Sequence, residues 1–308
     1  MSLELQILGS NAAAFAHRRH HTSQLLKIQN QYFLIDCGEG TQLLLKKHKV
    51  KISRIDHILI SHLHGDHYFG LIGLISTMHL FGREKELILI APEGLIDIIT
   101  LQLKYSQTWL NYKIKLTEWR PNQTERVFEN NSLTIDSIPM DHAVPCSGFL
   151  FREKPKKRRI NRQVFKDMEL SPLEINRLKN GEDVLNLDGS IKYENKSMTL
   201  DPHPQYSYAY CSDTKFNTRI IDQIKEVDLL YHESTFADDM KERARQTYHS
   251  TAKEAASIAK AASVGQLLLG HFSARYRELD PIINEAQSVF SKSQLAIEGA
   301  KFEINGKG

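Results

Sequence analysis

The chain has 308 residues, a length that allows one large domain or two small ones. With 41% hydrophobic and 25% charged residues it has the composition of a globular protein, which excludes disordered, collagen-like and solenoid classes. The net charge is only +3, but residues 152–162 hold seven basic side chains and one acidic side chain. This short segment therefore carries +6 and the rest of the chain −3.

The cysteine count and the hydropathy pattern indicate the cellular setting. Cys37, Cys146 and Cys211 are odd in number and lack CxxC spacing, which argues against a disulfide framework or a thiolate zinc site. No apolar stretch approaches the roughly 18 residues of a membrane span, and the amino terminus lacks the pattern of a secretory signal. We expect a cytoplasmic protein without a membrane partner.

Apolar and β-branched runs predict strands at 3–8, 24–28, 32–36, 57–61, 86–91, 133–138, 206–212, 227–233 and 266–272. Helical patterns lie between them at 41–47, 69–82, 95–106, 218–226 and 251–263. The last opens with a capping box, Thr251 with Glu254 three residues later. Runs that are apolar on both faces favour strands buried between helices, so we expect layered α/β architecture.

One segment interrupts these layers. From Arg152 to about Ser197 the sequence is polar, with Lys-Pro, Ser-Pro and Asn-Gly breakers around one short helix at 171–180. We predict a single domain over 1–308 with an inserted arm at about 152–197. Its cations are Arg152, Lys154, Lys156, Lys157, Arg158, Arg159 and Arg162. Such a run is usually a solvated face, and occasionally a localisation signal.

A dense group of metal-binding residue types follows the predicted strand 57–61. His62, His64, Asp66 and His67 place four donors within six positions, and Gly65 permits a turn that directs the last two toward a second position. Imidazole with some carboxylate and no thiolate suits zinc, or manganese and iron less exclusively. The alternative is a polar surface loop with incidental histidines.

Further donors stand at the ends of other predicted strands. His142, Asp213 and His271 each follow an apolar run, and α/β layers commonly bind ligands at the carboxyl ends of their strands. Each alone is as readily an ordinary turn residue. Together with the first group they predict a site for two metal ions.

The chain resembles the ribonuclease Z family of the metallo-β-lactamase superfamily, endonucleases that mature the 3′ end of transfer RNA. The HxHxDH group indicates only the superfamily. The resemblance is carried by 36–42 (DCGEGTQ), 61–74, 140–145 (MDHAVP), 212–214 (SDT), 232–236 (HESTF), 249–251 (HST) and 271–276 (HFSARY). The pair HESTF and HST, at this distance before His271, is much more specific to ribonuclease Z than the other motifs. The resemblance implies an αββα sandwich with an inserted, flexible basic arm.

The resemblance also implies roles for individual residues. His62, His64 and His142 would bind one metal, Asp66, His67 and His271 the other, and Asp213 would bridge them. Asp36 would orient a ligand imidazole, the usual role of carboxylates around a metal site, although a simple turn carboxylate is an equal reading. His232 is expected to be a packed histidine without a role.

Two divalent ions, most naturally zinc, would generate hydroxide near neutral pH and hold a phosphate during in-line displacement. Attack on a phosphodiester would leave a 3′-hydroxyl on the tRNA. Asp66 would orient the water or accept its proton. The leaving oxygen needs a proton, for which His249 is the candidate, because Glu233 would favour its protonated form against the dipole of the helix that follows. A purely structural Glu233–His249 hydrogen bond is the alternative.

The resemblance assigns the basic segment to an arm that grips tRNA, with a salt-dependent affinity, and implies a homodimer. In the arm Ser171-Pro172 replaces the family's usual Gly-Pro, and the loop 11–17 lacks the expected Pro-Thr. These departures concern the arm and substrate entry. Two alternatives stay open: a phosphodiesterase of the same superfamily that acts on small substrates, and an inactive RNA-binding paralogue.

Overall fold

The computed structural model describes residues 3–165 and 169–304. Its strands are β1 (Leu3–Gly9), β2 (Ser23–Ile28), β3 (Gln31–Ile35), β4 (Ile55–Leu59), β5 (Leu87–Ala91), β6 (Ile114–Glu118), β7 (Arg126–Glu129), β8 (Leu133–Pro139), β9 (Ser147–Glu153), β10 (Arg159–Ile160), β11 (Val184–Leu185), β12 (Ile191–Tyr193), β13 (Thr199–Leu200), β14 (Ser207–Cys211), β15 (Leu229–Glu233), β16 (Gln266–Gly270), β17 (Ser293–Leu295) and β18 (Lys301–Ile304). Its helices are α1 (Thr41–Lys47), α2 (Gly65–Tyr68), α3 (Leu71–Leu80), α4 (Leu95–Tyr105), α5 (Pro172–Lys179), α6 (Asn195–Met198), α7 (Lys241–Gln246), α8 (Ala252–Ala261) and α9 (Asp280–Val289).

Two seven-stranded sheets form the centre of the fold. The first has the order β18-β1-β2-β3-β4-β5-β6 and the second β17-β16-β15-β14-β9-β8-β7. In each sheet three consecutive pairings are parallel and three are antiparallel. A helix connects each parallel pair of the first sheet and the pairs β15–β16 and β16–β17 of the second, because a parallel neighbour requires a crossover connection, whereas β14 and β15 are connected through a 3-10 turn.

The sheets pack face to face around an aromatic core. Phe33 from the first sheet meets Phe151 from the second at a centroid distance of 5.5 Å, and Tyr210 stacks on Tyr231 at 5.1 Å. The outer face of the first sheet packs against α1, α3 and α4, and the outer face of the second against α8 and α9. The result is the αββα sandwich that the resemblance implies, with strands buried on both faces.

The nine predicted strands are confirmed, as are the helices at 41–47, 95–106 and 251–263. The helix predicted at 218–226 is wrong: only Thr218–Ile220 is helical, as a 3-10 turn. Glu226 has a φ of 57° and its N–H bonds to the Ala262 carbonyl, so tertiary contacts end the segment before a helix forms. The pattern at 69–82 contains α3, which begins two residues later than predicted.

The inserted arm leaves and rejoins the second sheet between neighbouring strands. β9 and β14 pair antiparallel, and the Glu153 N–H donates to the Tyr206 carbonyl at 2.9 Å, so the chain departs after residue 153 and returns at 206. The described part of the arm has its own small core around Leu178, Val184 and Met198. The short helix predicted at 171–180 is confirmed as α5, which begins at a capping box between Ser171 and Glu174.

The helices of the described ranges are short. The longest is α4 with 11 residues, and none has the length and apolar composition that crossing a membrane requires.

Candidate metal centre and active site

The first group of donors joins the two sheets. His62 and His64 follow β4 of the first sheet, whereas His142 follows β8 and Asp213 follows β14 of the second. His64 Nδ1 lies 3.0 Å from His62 Nε2 and 3.2 Å from His142 Nε2. Asp213 Oδ2 lies 3.6 Å from His62 Nε2 and 3.7 Å from His142 Nε2. Four donor atoms therefore converge on one point.

The second group uses the other oxygen of the same carboxylate. Asp213 Oδ1 lies 3.3 Å from His67 Nε2 and 3.2 Å from His271 Nε2. Asp66 Oδ2 lies 3.5 Å from both of these nitrogens. Asp213 thus faces both groups, as a bridging ligand would.

These distances fit divalent ions. Ligands about 2.1 Å from a tetrahedral ion lie roughly 3.4 Å apart, which is close to the separations within both groups. Moreover, Nε2 of His67 and Nε2 of His271 are buried without a hydrogen-bond partner among the described residues, a costly state unless another group contacts them. The donor set is imidazole and carboxylate, which suits zinc and related divalent metals.

The backbone around residue 65 creates the change of direction between the two groups. His64 is extended, with φ −73° and ψ 143°, and α2 begins directly at Gly65. A side chain at Gly65 would put a Cβ 2.2 Å from the Phe69 ring. Glycine therefore allows the chain to turn from one donor group to the other within a single residue.

Asp36 lies directly behind the second donor group. It is fully buried, and its carboxylate accepts hydrogen bonds from His67 Nδ1 at 2.7 Å and from the Ser61 N–H and hydroxyl at 2.7 and 2.9 Å. Tyr210 donates a fourth hydrogen bond to Oδ2. These contacts fix the tautomer in which His67 Nε2 is free to bind a metal. The geometry therefore favours the interpretation of Asp36 as a carboxylate that orients a ligand imidazole over that of a simple turn carboxylate.

Two further ligand rings are held by their other nitrogen. His142 Nδ1 lies 3.0 Å from the carbonyl of Tyr248, a residue with φ +60°, and His271 Nδ1 lies 3.0 Å from the Thr235 hydroxyl. That hydroxyl donates to Glu233 at 2.6 Å. The second donor group is therefore connected to Glu233 through Thr235.

Glu233 and His249 lie beside the donor groups and contact each other. His249 Nδ1 is 2.8 Å from Glu233 Oε1, which also accepts the N–H of Thr214 at 2.9 Å. Burial alone would lower the pKa of His249, but the Glu233 carboxylate outweighs it and raises the pKa to about 9. Burial would raise the pKa of Glu233, and the attraction of His249 lowers it instead. The pair is thus an imidazolium and a carboxylate near neutral pH.

His249 faces the donors with its remaining nitrogen available. Its donor atoms lie within 4.8 Å of those of Asp213 and His271, and its ring centroid is 5.4 Å from that of His271. The helix α8 is capped by Thr251 and Glu254, as predicted, two residues after His249. His232, by contrast, is fully buried in β15 and hydrogen bonds to the Glu233 carbonyl.

An open cavity of about 540 Å³ covers the donors. Asp66, Asp213, His249 and His271 line its floor, and residues such as His21, Glu39 and Phe69 line its walls. The Ala13 N–H donates to Asp66 Oδ2 at 2.8 Å, so the loop after β1 closes one side. A phosphodiester placed here would reach both donor groups and His249.

The basic segment is more anchored than its composition predicts. Arg152 belongs to β9 and donates to the Gln223 carbonyl, Lys154 pairs with Glu129, and Lys156 pairs with Glu153. Lys157 contacts Asn176, Arg158 pairs with Asp201, and Arg159 contacts the Asp201 carbonyl. Arg162 is exposed and has no ion pair within the described ranges. The first three cations thus support the junction of arm and sheet.

Sequence reasoning did not find several residues that position the site. Ser61, Tyr210, Thr235 and the backbone of Tyr248 each hold a ligand ring or Asp36. A tyrosine in the buried strand β14 has the pattern of an ordinary core residue, and a carbonyl contact leaves no mark in a sequence. For Thr235 the only signal was its place in the motif 232–236.

Known proteins match the chain over nearly its whole length. A family model described as "Anti-Pycsar protein Apyc1" matches residues 3–294. Ribonuclease Z of Cytophaga hutchinsonii is 45% identical over 307 residues, covering 100% of this chain and 98% of that protein. Ribonuclease Z of Bacteroides fragilis is 45% identical over 295 residues, covering 96% and 97%.

Solved structures show the same fold. The short form of human tRNase Z superposes with a TM-score of 0.70 at 24% identity, covering 97% of this chain and 98% of that one. The metallo-β-lactamase fold protein YhfI from Bacillus subtilis superposes with a TM-score of 0.68 at 19% identity, covering 98% and 100%. By its sequence matches, the chain belongs to the family that the Apyc1 model describes and to the ribonuclease Z family.

Proposed function

We propose that the protein is a metal-dependent endoribonuclease that removes the 3′ trailer from precursor tRNA and leaves a 3′-hydroxyl on the tRNA. The observation that carries this proposal is the Glu233–His249 pair at the edge of the two donor groups, in a chain 45% identical to proteins named ribonuclease Z. Hydrolysis of a phosphodiester needs a phosphate-binding centre and a proton for the departing oxygen, and this geometry provides both.

We propose two zinc ions per subunit, one held by His62, His64 and His142, the other by Asp66, His67 and His271, with Asp213 between them. Two separate groups of donors support this number, and the buried nitrogens without partners, Nε2 of His67 and Nε2 of His271, support the ion of the second group. When bound, such ions supply an activated water near neutral pH and neutralise phosphate charge.

The remaining chemistry falls to side chains of the protein. Asp66 orients the attacking water from the cavity floor, where the Ala13 N–H holds its Oδ2. His249 carries the proton for the leaving ribose oxygen, because Glu233 keeps its imidazole protonated at neutral pH. Thr235 ties Glu233 to His271, so the acid and the metal centre keep a fixed separation.

The arm is proposed to bind the body of the tRNA away from the cleaved bond. Between residues 154 and 206 the chain has eleven basic and eight acidic residues, and the basic ones concentrate at its base, from Lys154 to Arg162. A stem of this charge beside a phosphodiesterase centre suits an RNA backbone, whose binding weakens as salt rises. Lys157, Arg159 and Arg162 are the cations best placed to contribute, since none pairs with a carboxylate within the described ranges.

A homodimer is supported by exposed apolar side chains on the helices outside the first sheet. Leu80 and Phe81 are 78% and 76% exposed at the end of α3, and Trp109 is 86% exposed beyond α4. The Asn111 N–H donates to His79 Nδ1 at 3.3 Å, which places the end of α3 beside the segment after α4, and exposed apolar side chains at such a place suit an interface. The rest of α3 is core, with Leu71, Leu74, Ile75 and Met78 buried.

The three buried free thiols support a reducing, cytoplasmic setting.

One experiment tests the proposed activity. The purified protein is analysed for bound metal and incubated with an unprocessed tRNA transcript and, separately, with bis(p-nitrophenyl) phosphate. We expect two equivalents of zinc and one cut at the 3′ end of the tRNA, leaving a 3′-hydroxyl. Two metals with hydrolysis of the small diester but an intact transcript would instead indicate the small-substrate phosphodiesterase, and RNA binding without cleavage of either substrate the inactive paralogue.

A further inference from the structure

A second cavity, of about 430 Å³, lies on the other side of His142 from the metal donors. Its lining is polar and includes Asn122, Thr124, Asp141, Asn217, Arg219 and Gln223. His142 borders it directly, so a ligand there would adjoin the first donor group. None of the residues proposed to cleave RNA or to form the arm uses this cavity, apart from His142 itself.

The loop that carries the bridging ligand forms one wall of this cavity. After Asp213 the chain runs beside residues 139–142 and is fastened to them by three hydrogen bonds. The Asp141 N–H donates to the Thr214 hydroxyl at 3.0 Å, the Lys215 N–H to the Asp141 carbonyl at 2.9 Å, and the Asn217 side chain to the Pro139 carbonyl at 3.2 Å. The wall is therefore fixed relative to the metal donors.

The polar groups of the lining are oriented in advance. Gln223 donates to the Ser137 carbonyl at 2.7 Å and accepts from Thr124 at 3.1 Å, and Asn217 accepts from the Arg219 N–H at 3.1 Å. Each of these amides keeps one N–H that these contacts do not use. Fixed amide edges suit the hydrogen-bonding edge of an unstacked base.

Three charged groups in or beside this cavity, those of Arg219, Lys215 and Asp141, have no ionic partner among the described residues. The Arg219 guanidinium and the Asp141 carboxylate have no side-chain hydrogen bond or ion pair to any described residue. At the adjoining rim, Lys215 Nζ lies 3.5 Å from the centroid of the Tyr248 ring, which holds the ammonium without neutralising it. A guanidinium suits a phosphate, and a carboxylate suits an exocyclic amino group.

The geometry points to this cavity as a subsite for the nucleotide next to the scissile phosphate, with Arg219 binding the neighbouring phosphate of the same strand. The inference rests on the proposed function, because it places the scissile phosphate at the metal centre. Asp141 and the amides face the base, and Lys215 borders the path of the backbone. The ligand class is a nucleotide with phosphates on both sides and an amino-bearing base.

Binding of cytidine 3′,5′-bisphosphate tests the subsite without any cleavage. We expect one phosphate of this ligand at the metal centre and the other at Arg219, whereas cytidine 5′-monophosphate has a single phosphate and can make only one of the two contacts. We expect the metal-loaded wild type to bind the bisphosphate about tenfold more tightly in calorimetry, as one charge-assisted contact predicts. Arg219→Ala should lose this gain, and Arg219→Lys should keep part of it because it retains the charge.

Lys260→Ala serves as the matched control, since Lys260 is an exposed cation in the last turn of α8 and should leave both affinities unchanged. Equal binding of the two nucleotides by the wild type, or a full gain in Arg219→Ala, would overturn the subsite. Because binding alone is measured, such a result is distinct from a failure of the enzyme to cut precursor tRNA.

Discussion

Replacing Glu233 with Gln isolates the charge that holds His249 protonated. The carboxylate is fully buried, and its contacts with Thr214, Thr235 and His249 leave it no access to solvent. Gln preserves the shape and can still accept from the backbone, but it removes the negative charge 2.8 Å from His249 Nδ1. The variant therefore changes the proton affinity of His249 with little change in packing.

The magnitude follows from the pKa of His249. The rise from 6.5 to about 9 corresponds to about 3 kcal/mol in favour of the imidazolium. A general acid works only while protonated, so activity falls as the pH rises through its pKa, and removing Glu233 moves that fall to lower pH. Loss of the Glu233 charge lowers the pKa of His249 below about 9, so cleavage changes least near pH 6 and falls at pH 8.5, by roughly tenfold for each unit that the pKa drops below the assay pH.

The assay is single-turnover cleavage of precursor tRNA from pH 5.5 to 9.5, with zinc content measured in each sample because Thr235 links Glu233 to the ligand His271. Glu242→Gln is the control, since that carboxylate is exposed on α7 and pairs only with nearby surface groups. If the profile of Glu233→Gln runs parallel to wild type, with the same alkaline fall, then His249 is not the acid or Glu233 does not set its protonation.

Four further outcomes are expected. His249→Ala should retain its zinc yet lose at least about 100-fold in cleavage, and wild-type turnover by the metal-replete variant would eliminate the acid role. Tyr210→Phe removes one hydrogen bond to Asp36 and should lower the affinity for zinc about tenfold, measured by competition with a chelator. An unchanged affinity would count against a role of the Asp36 hydrogen bonds in metal binding. Replacing residues 155–205 with a short Gly-Ser turn should impair precursor tRNA far more than bis(p-nitrophenyl) phosphate, whereas equal losses would argue against the arm. Chelation should lower the thermal midpoint by several degrees, because the ions bind only the folded chain; an identical melting curve would contradict this.

Most central strands, though not β9, were predictable because burial on both faces leaves continuous apolar runs, such as LILIA in β5 and QLLLG in β16. Strands at the sheet edges were not. β6 (IKLTE) and β7 (RVFE) alternate with charged residues, and their pairing partners lie far away in the sequence or across a short turn. Local pattern does not separate such strands from polar loops.

The strand β9 was not predicted. Its run GFLF continues into Arg152 and Glu153, so the charge cluster masked the strand and moved the predicted start of the arm into the sheet. Glu153 is 6% exposed and forms an ion pair with Lys156, which shows that part of the basic segment neutralises a buried carboxylate. Composition measures total charge, but only the fold shows which charges pair.

The metal donors were predictable because each stands at the end of a recognisable strand, and the sheet brings those ends together. The groups behind them were not, since Tyr210, Ser61 and the Tyr248 carbonyl act through contacts between segments distant in sequence. The polar cavity at Arg219 lies between the segment wrongly predicted as a helix and residues distant in sequence, such as Asn122 and Asp141, a proximity that no local pattern indicates.

The division of the ligands between the sheets has a consequence for biosynthesis. His62, His64, Asp66 and His67 come from the first sheet, and His142, Asp213 and His271 from the second, so neither donor group is complete within one sheet. A chain emerging from the ribosome acquires its first ligand at residue 62 and its last only at 271. A nascent chain is therefore unable to form the second group until β16 has been translated and placed beside β15. The two-group centre is therefore completed by the last of its ligands, after most of the polypeptide has been made.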